Sequence, residues 1–184
     1  MINEIDVKTL NNSIKPSIEE TERFILYLNK RFCLNIKNDL IINIQDTSTS
    51  TKGFFMPSQH KNHYEGEKPL NYICISSLYL KISPYETIAH ELAHYINHIE
   101  GHTNKGNYHT KHFKKQAEQF YLKVIKGKYG FNITEETEDF KKMLEDFKPS
   151  PTAFNIYQNK EEKGKTKSRN LLYICECGVK IRTA

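Results

Sequence analysis

The sequence predicts an α+β fold, a small β-sheet flanked by helices, and three observations carry that expectation. Residues 83–101 hold the best-delimited helical pattern in the chain, an apolar stripe between a Ser-Pro start and a glycine stop. Short isoleucine-rich runs upstream of it read as strands. Further helical stripes lie on both sides of these segments, so sheet and helices are expected to share one core.

Pro16-Ser17-Ile18-Glu19-Glu20 opens a first helix with a Ser-x-x-Glu capping box, and Ile18, Ile25, Leu28 and Phe32 form its buried stripe. Leu40 to Ile44 is a short strand, and Thr47 to Lys52 a polar turn. Gly53-Phe54-Phe55-Met56 reads as a second strand that ends at Pro57. Ser58 to Pro69 is a polar loop whose His60 and His63 read as solvated. Leu70 to Leu80 is a third strand, in which Tyr72, Cys74 and Ser76 alternate with Ile73 and Ile75.

The central helix comes next. Ser83 serves as N-cap, Pro84 takes the first helical position and Glu86 completes a capping box, with Gly101 as the stop. Ile88, Leu92, Tyr95, Ile96 and Ile99 make its apolar stripe. Residues 101–109 form a Gly/Asn/His loop. Thr110 then caps a helix whose core face is Phe113, Ala117, Phe120, Tyr121 and Val124. A further helix runs from about Thr134 to Phe147, buries Phe140, Met143, Leu144 and Phe147, and is closed by Pro149 and Pro151. Lys160 to Arg169 is a linker by composition, and Leu171 to Ile174 a short strand before Cys175-Glu176-Cys177-Gly178. The expected organisation is one domain over residues 1–157, a basic linker over 158–170 and a tail over 171–184.

The central helix carries His90-Glu91-Leu92-Ala93-His94, the H-E-x-x-H pattern. On a helix this puts two imidazoles on one face, with a carboxylate one residue after the first. Neutral imidazoles suit zinc, and the carboxylate is placed to take a proton from water that the ion activates. At about 100° per residue from His90, the apolar stripe centres near 180°, His94 near 40° and Glu91 near 100°. One side is then buried and the other turns its ligands to a cleft, which is the plan of a zincin-like domain.

Composition narrows the setting. Of the 184 residues, 38% are hydrophobic and 27% charged, enough for a packed core beneath a solvated surface. No run approaches a membrane span, and the N-terminus lacks a basic patch followed by an apolar run. Four cysteines, two isolated and two nearly adjacent, do not suggest a disulfide framework, so a cytoplasmic protein is expected. The net charge of +5 is unevenly spread: residues 158–184 hold seven Lys and Arg against three Glu. Such a tail can meet phosphates or serve as a solvated linker.

A hydrolytic zinc site needs a third protein ligand and an open position. Asn97 and Glu100 stand where H-E-x-x-H-x-x-G-x-x-H requires Gly and His, so that class is excluded. Glu118 is a candidate, but lies off the core stripe of its helix; His98 shares the ligand helix, and His102 follows it too closely. His109 is better placed, on a different element after a loop long enough to reverse direction, with His112 its nearest competitor.

Three stretches together resemble a known family: Asn71-Tyr72-Ile73-Cys74-Ile75-Ser76, Glu86-Thr87-Ile88-Ala89-His90-Glu91-Leu92-Ala93-His94, and His109-Thr110-Lys111-His112-Phe113-Lys114. They are similar to the SprT-like, Spartan-related zinc metallopeptidases, whose second motif, H-G-x-x-F-K, contributes the third zinc ligand. Lys52-Gly53-Phe54-Phe55 looks like the family's Gly-aromatic strand. The resemblance covers residues 50–115 and implies Zn2+ held by His90, His94 and His109, with Glu91 as the catalytic base. Thr110 departs from the motif's glycine. The tail resembles the first half of a zinc ribbon, and two thiolates cannot close a four-coordinate site, so no second zinc is expected in the monomer.

The resemblance implies an endopeptidase acting on DNA-associated or DNA-crosslinked proteins. Single-stranded DNA would then meet the basic tail, together with Lys111, Lys114 and Lys115. Tyr64, Tyr108 and His112 are candidates for the group that stabilises the oxyanion. Two other readings compete: an ImmA/IrrE-like regulatory peptidase that cuts a repressor and uses Glu118, and a DNA-binding module with a non-catalytic metal.

Overall fold

The computed structural model describes residues 7–48, 50–62, 68–102, 108–155, 171–174 and 180–183. Among these the chain is α+β, with four helices and three small sheets. Helix α1 (Val7–Phe32) begins well before the expected start, and Pro16 lies inside it. Ser17 is therefore no cap. It is buried within the helix, and its hydroxyl donates to the Ala153 carbonyl at 2.5 Å. The expected stripe is present and wider, since Phe24 is buried beside Ile25 and Leu28.

Strands β1 (Leu40–Gln45), β2 (Gly53–Asn62) and β3 (Lys68–Ser76) form one sheet in the order β1-β3-β2. β1 runs parallel to β3, and β2 antiparallel to it, so that Ile42 and Phe55 both stand opposite Ile73. β2 does not end at Pro57. It crosses a register irregularity between Met56 and His60, where a residue without an N–H is tolerated, and continues to Asn62. β3 is shorter than expected and passes into a 3₁₀ turn over Ser77–Tyr79. As the middle strand it is covered, and Ile73, Cys74, Ile75 and Ser76 are all buried.

Helix α2 (Pro84–Ile99) packs Ile88, Leu92, Tyr95 and Ile96 into the core with Phe24, Leu28, Ile73 and Ile75. The Tyr95 hydroxyl anchors it, donating to Asp39 at 2.7 Å and accepting from the Lys37 N–H at 3.0 Å. The helix is less two-sided than its sequence suggests, because Glu86, Glu91 and Asn97 are buried as well. Ser83 makes no side-chain capping bond, and the expected box with Glu86 does not form. The stop is as expected: Gly101 takes φ +80° and its N–H bonds the His98 carbonyl at 3.0 Å.

Helix α3 (Lys111–Gln119) is capped by Thr110, whose hydroxyl accepts from the Phe113 N–H at 3.4 Å. It stops short of Tyr121 and Val124. Strands β4 (Leu122–Gly127) and β5 (Gly130–Glu136) then form an antiparallel hairpin that overturns the expected helix start at Thr134. Helix α4 (Glu138–Phe147) begins instead with Thr137, which accepts from the Phe140 N–H at 3.1 Å, and buries Phe140, Met143 and Phe147. The last described elements, β6 (Leu171–Ile174) and β7 (Lys180–Thr183), pair antiparallel. The linker and Cys175 and Cys177 lie outside the described residues. No helix among those described is long and apolar enough to cross a membrane.

Candidate metal centre

His90 and His94 stand one turn apart on α2, as the i, i+4 spacing requires. His109 reaches them from outside the helix. It is held by backbone bonds to the β4–β5 turn: its N–H donates to the Tyr129 carbonyl at 2.9 Å, and its carbonyl accepts from the Phe131 N–H at 3.1 Å. Gly130 makes this approach possible. It takes φ +79°, and a Cβ there would lie 2.2 Å from the His109 oxygen.

The three Nε2 atoms converge. His94 and His109 are 2.9 Å apart, and His109 and His90 3.3 Å. Two imidazole nitrogens sharing a tetrahedral ion, with bonds of about 2.0–2.1 Å, would stand about 3.3 Å apart. The group can therefore hold a metal ion. Phe113 forms its floor, with ring centroids 4.8, 4.4 and 4.6 Å from those of His90, His94 and His109. Phe113 is fully buried, so the rings rest on a fixed surface.

Burial, reinforced by the charges of His109 and Lys52, lowers the His90 pKa to about 3. Burial likewise holds His94 well below the usual imidazole range. Both are therefore neutral near pH 7, the state that ligates metals. Glu91 is buried beside them, and burial, with the nearby Glu86 charge, pushes its pKa up to about 8. A bound cation acts in the opposite sense and favours the carboxylate.

The nitrogen of His90 that faces away from the trio is also engaged. Nδ1 lies 3.0 Å from the Thr134 hydroxyl, which in turn donates to Glu86 Oε1. Glu86 Oε2 accepts from Lys52 Nζ at 3.2 Å. The residue expected to close a capping box thus faces the site instead. Sequence reasoning misses Thr134 and Glu86 in this role, because Thr134 reads as a helix start and Glu86 as part of a capping box. The available signal was Gly127-Lys128-Tyr129-Gly130, a two-residue turn between glycines.

His90, Glu91, His94 and His109 all line a cleft of about 690 Å³, walled by Phe54, Phe55 and Pro57 of β2 and by Tyr129 and Ile133 of the hairpin. The other candidates stand outside the trio. His98 and His102 also line the cleft, but His98 packs on Phe55 and His102 stacks on His112 with centroids 3.9 Å apart. Glu118 is half-exposed and pairs with Lys114 at 3.4 Å. Tyr108 is half-exposed beside Gly130. His63 and Tyr64 lie outside the described residues, as does the side chain of His60.

No protein-family model, curated protein or solved structure matches the chain. What the site can do follows from its donors: three converging imidazoles from two elements and one buried carboxyl, on the wall of an accessible cleft.

Proposed function

We propose that this chain is a zinc-dependent endopeptidase of the SprT-like kind, on a zincin-like plan. The observation that carries the reading is the convergence of His90, His94 and His109 Nε2 at 2.9 and 3.3 Å, with Glu91 on the same cleft wall. Three imidazoles with a side open to solvent are the donor set of hydrolytic zinc sites, and leave room for water or a carbonyl. Zinc, when bound, supplies the Lewis acidity that activates water and polarises the scissile carbonyl. Glu91 takes the proton of the attacking water on its carboxylate and delivers it to the leaving amine. Strand β2 supports a peptide substrate, since among the described residues it is an edge strand, and Gly53, Phe54, Phe55 and Pro57 border the cleft. An extended chain can add to such an edge through its backbone.

The test is cleavage of an unfolded protein by the zinc-loaded chain and by Glu91→Gln. The variant should bind metal normally and cleave nothing. Cleavage at an undiminished rate by Glu91→Gln would sink the mechanism, and metal uptake without any cleavage would favour a non-catalytic metal module.

The substrates we propose are proteins associated with DNA. Lys111 and Lys115 are exposed at the start of α3, and the tail beyond residue 158 is basic. Salt-sensitive binding to single-stranded DNA, weakened by deleting residues 158–184, supports this reading; no binding at low salt removes it. The repressor-cutting alternative needs Glu118, which is half-exposed and paired with Lys114.

A further inference from the structure

We propose that Thr134 is a positioning residue for the metal centre, relaying the Glu86 carboxylate to His90 and selecting the tautomer in which Nε2 is the free ligand. The proposal rests on the metal-site reading and is independent of whether the ion serves proteolysis.

Three facts carry it. A threonine hydroxyl has one proton to give, and here it goes to Glu86. The oxygen is then left to accept, so the bond to His90, 3.0 Å long, is Nδ1–H donating to Thr134. With Nδ1 protonated, the lone pair of the neutral ring is on Nε2, the atom that lies 3.3 Å from His109 Nε2. Such outer partners fix ring orientation and raise ligand basicity. Glu86 is itself held, since it is buried and its second oxygen accepts from Lys52. The chain of contacts runs Lys52, Glu86, Thr134, His90.

The placement of Thr134 gives this relay a further consequence. It belongs to β5, and the turn of the same hairpin grips His109 through backbone bonds on either side of Gly130. One hairpin thus positions two of the three ligands, His90 through a side chain and His109 through the main chain. The third, His94, is placed by α2 and rests on Phe113 of α3.

The experiment compares the wild-type chain with Thr134→Val, which keeps the shape and removes the hydroxyl, and with Thr134→Ser, which restores it. Two readouts separate positioning from mere packing. In the metal-free protein, imidazole ¹⁵N shifts should show His90 protonated at Nδ1 in the wild type and in Thr134→Ser, and a tautomer mixture in Thr134→Val. Zinc affinity, measured by chelator competition, should fall about 10–100-fold in Thr134→Val and recover in Thr134→Ser. If Thr134→Val does not fold, Glu86→Gln serves, with the same expected loss of affinity. A folded Thr134→Val with wild-type tautomer and affinity overturns the proposal. A wild-type chain that takes up no zinc overturns both this and the metal-site reading. Hydroxyl-dependent zinc binding without cleavage upholds the relay and removes only the peptidase reading.

Discussion

Gly53 of β2 lies against Glu91 of α2: a Cβ at position 53 would stand 3.1 Å from Glu91 Cγ, and 2.9 Å from both the Cys74 carbonyl oxygen and Thr87 Cγ2. The glycine lets the edge strand sit directly beside the candidate base. A carbonyl of the central strand cannot give way as a side chain can. Gly53→Ala should therefore cost about 1–3 kcal/mol of stability by overpacking. Activity should fall by more than the fraction unfolded accounts for, because Glu91 is displaced. Denaturant unfolding and initial rates of cleavage, measured on the same preparation, check both.

Metal content distinguishes the ligand sets. His109→Ala should lose the ion from a chain that otherwise holds about one, since two imidazoles on adjacent helical turns grip weakly. Glu118→Ala should retain it. Elemental analysis of the two purified variants decides, and the reverse pattern would move the third ligand to Glu118.

Acid should unfold the protein partly through Glu20. Burial by itself would raise this carboxyl's pKa. The Arg23 guanidinium at 2.8 Å, the Ser150 N–H at 2.9 Å and the Tyr85 hydroxyl at 2.7 Å more than offset that, and hold it below the usual range. A depressed folded-state pKa contributes stability at pH values above the unfolded one, about 4.3, and loses it as pH falls through the folded one. The free energy of unfolding should thus drop as pH falls below about 4.3, the unfolded value. Glu20→Gln should be less stable at neutral pH and show a shallower drop. An unchanged slope would mean that other carboxylates dominate.

Lys148 ends α4 in the left-handed region at φ +57°, where its N–H still bonds the Leu144 carbonyl at 2.9 Å. A side chain is disfavoured there, and glycine is not. Lys148→Gly should stabilise the domain by about 0.5–1 kcal/mol, read as a higher midpoint in urea. Loss of stability would show that Lys148 contributes contacts outweighing its backbone conformation.

Periodicity was enough for α2, its glycine stop, and the pairing of His90 with His94, because these depend on contacts within four residues of one another. The thiol of Cys74 was legible as a small buried group, and burial indeed pushes its pKa up to about 11. Local signals misled where longer-range contacts outweighed them. Ser83 and Glu86 have the spacing of a capping box, yet Glu86 is drawn to Lys52 and Thr134, which lie 34 residues before and 48 after it. Pro16 and Ser17 mimic a helix start, but Ser17 is committed to Ala153, 136 residues away. The hairpin was hidden for a related reason: Phe120, Tyr121 and Val124 extend the apolar stripe of α3, so a helix and a strand fit the same residues. Only packing decides that case, by placing Gly130 under His109 and Thr134 against His90. The ligand types could be read from the chain, while their assembly into one site depends on a strand pairing whose local sign, the turn between Gly127 and Gly130, competes with the helical stripe of α3.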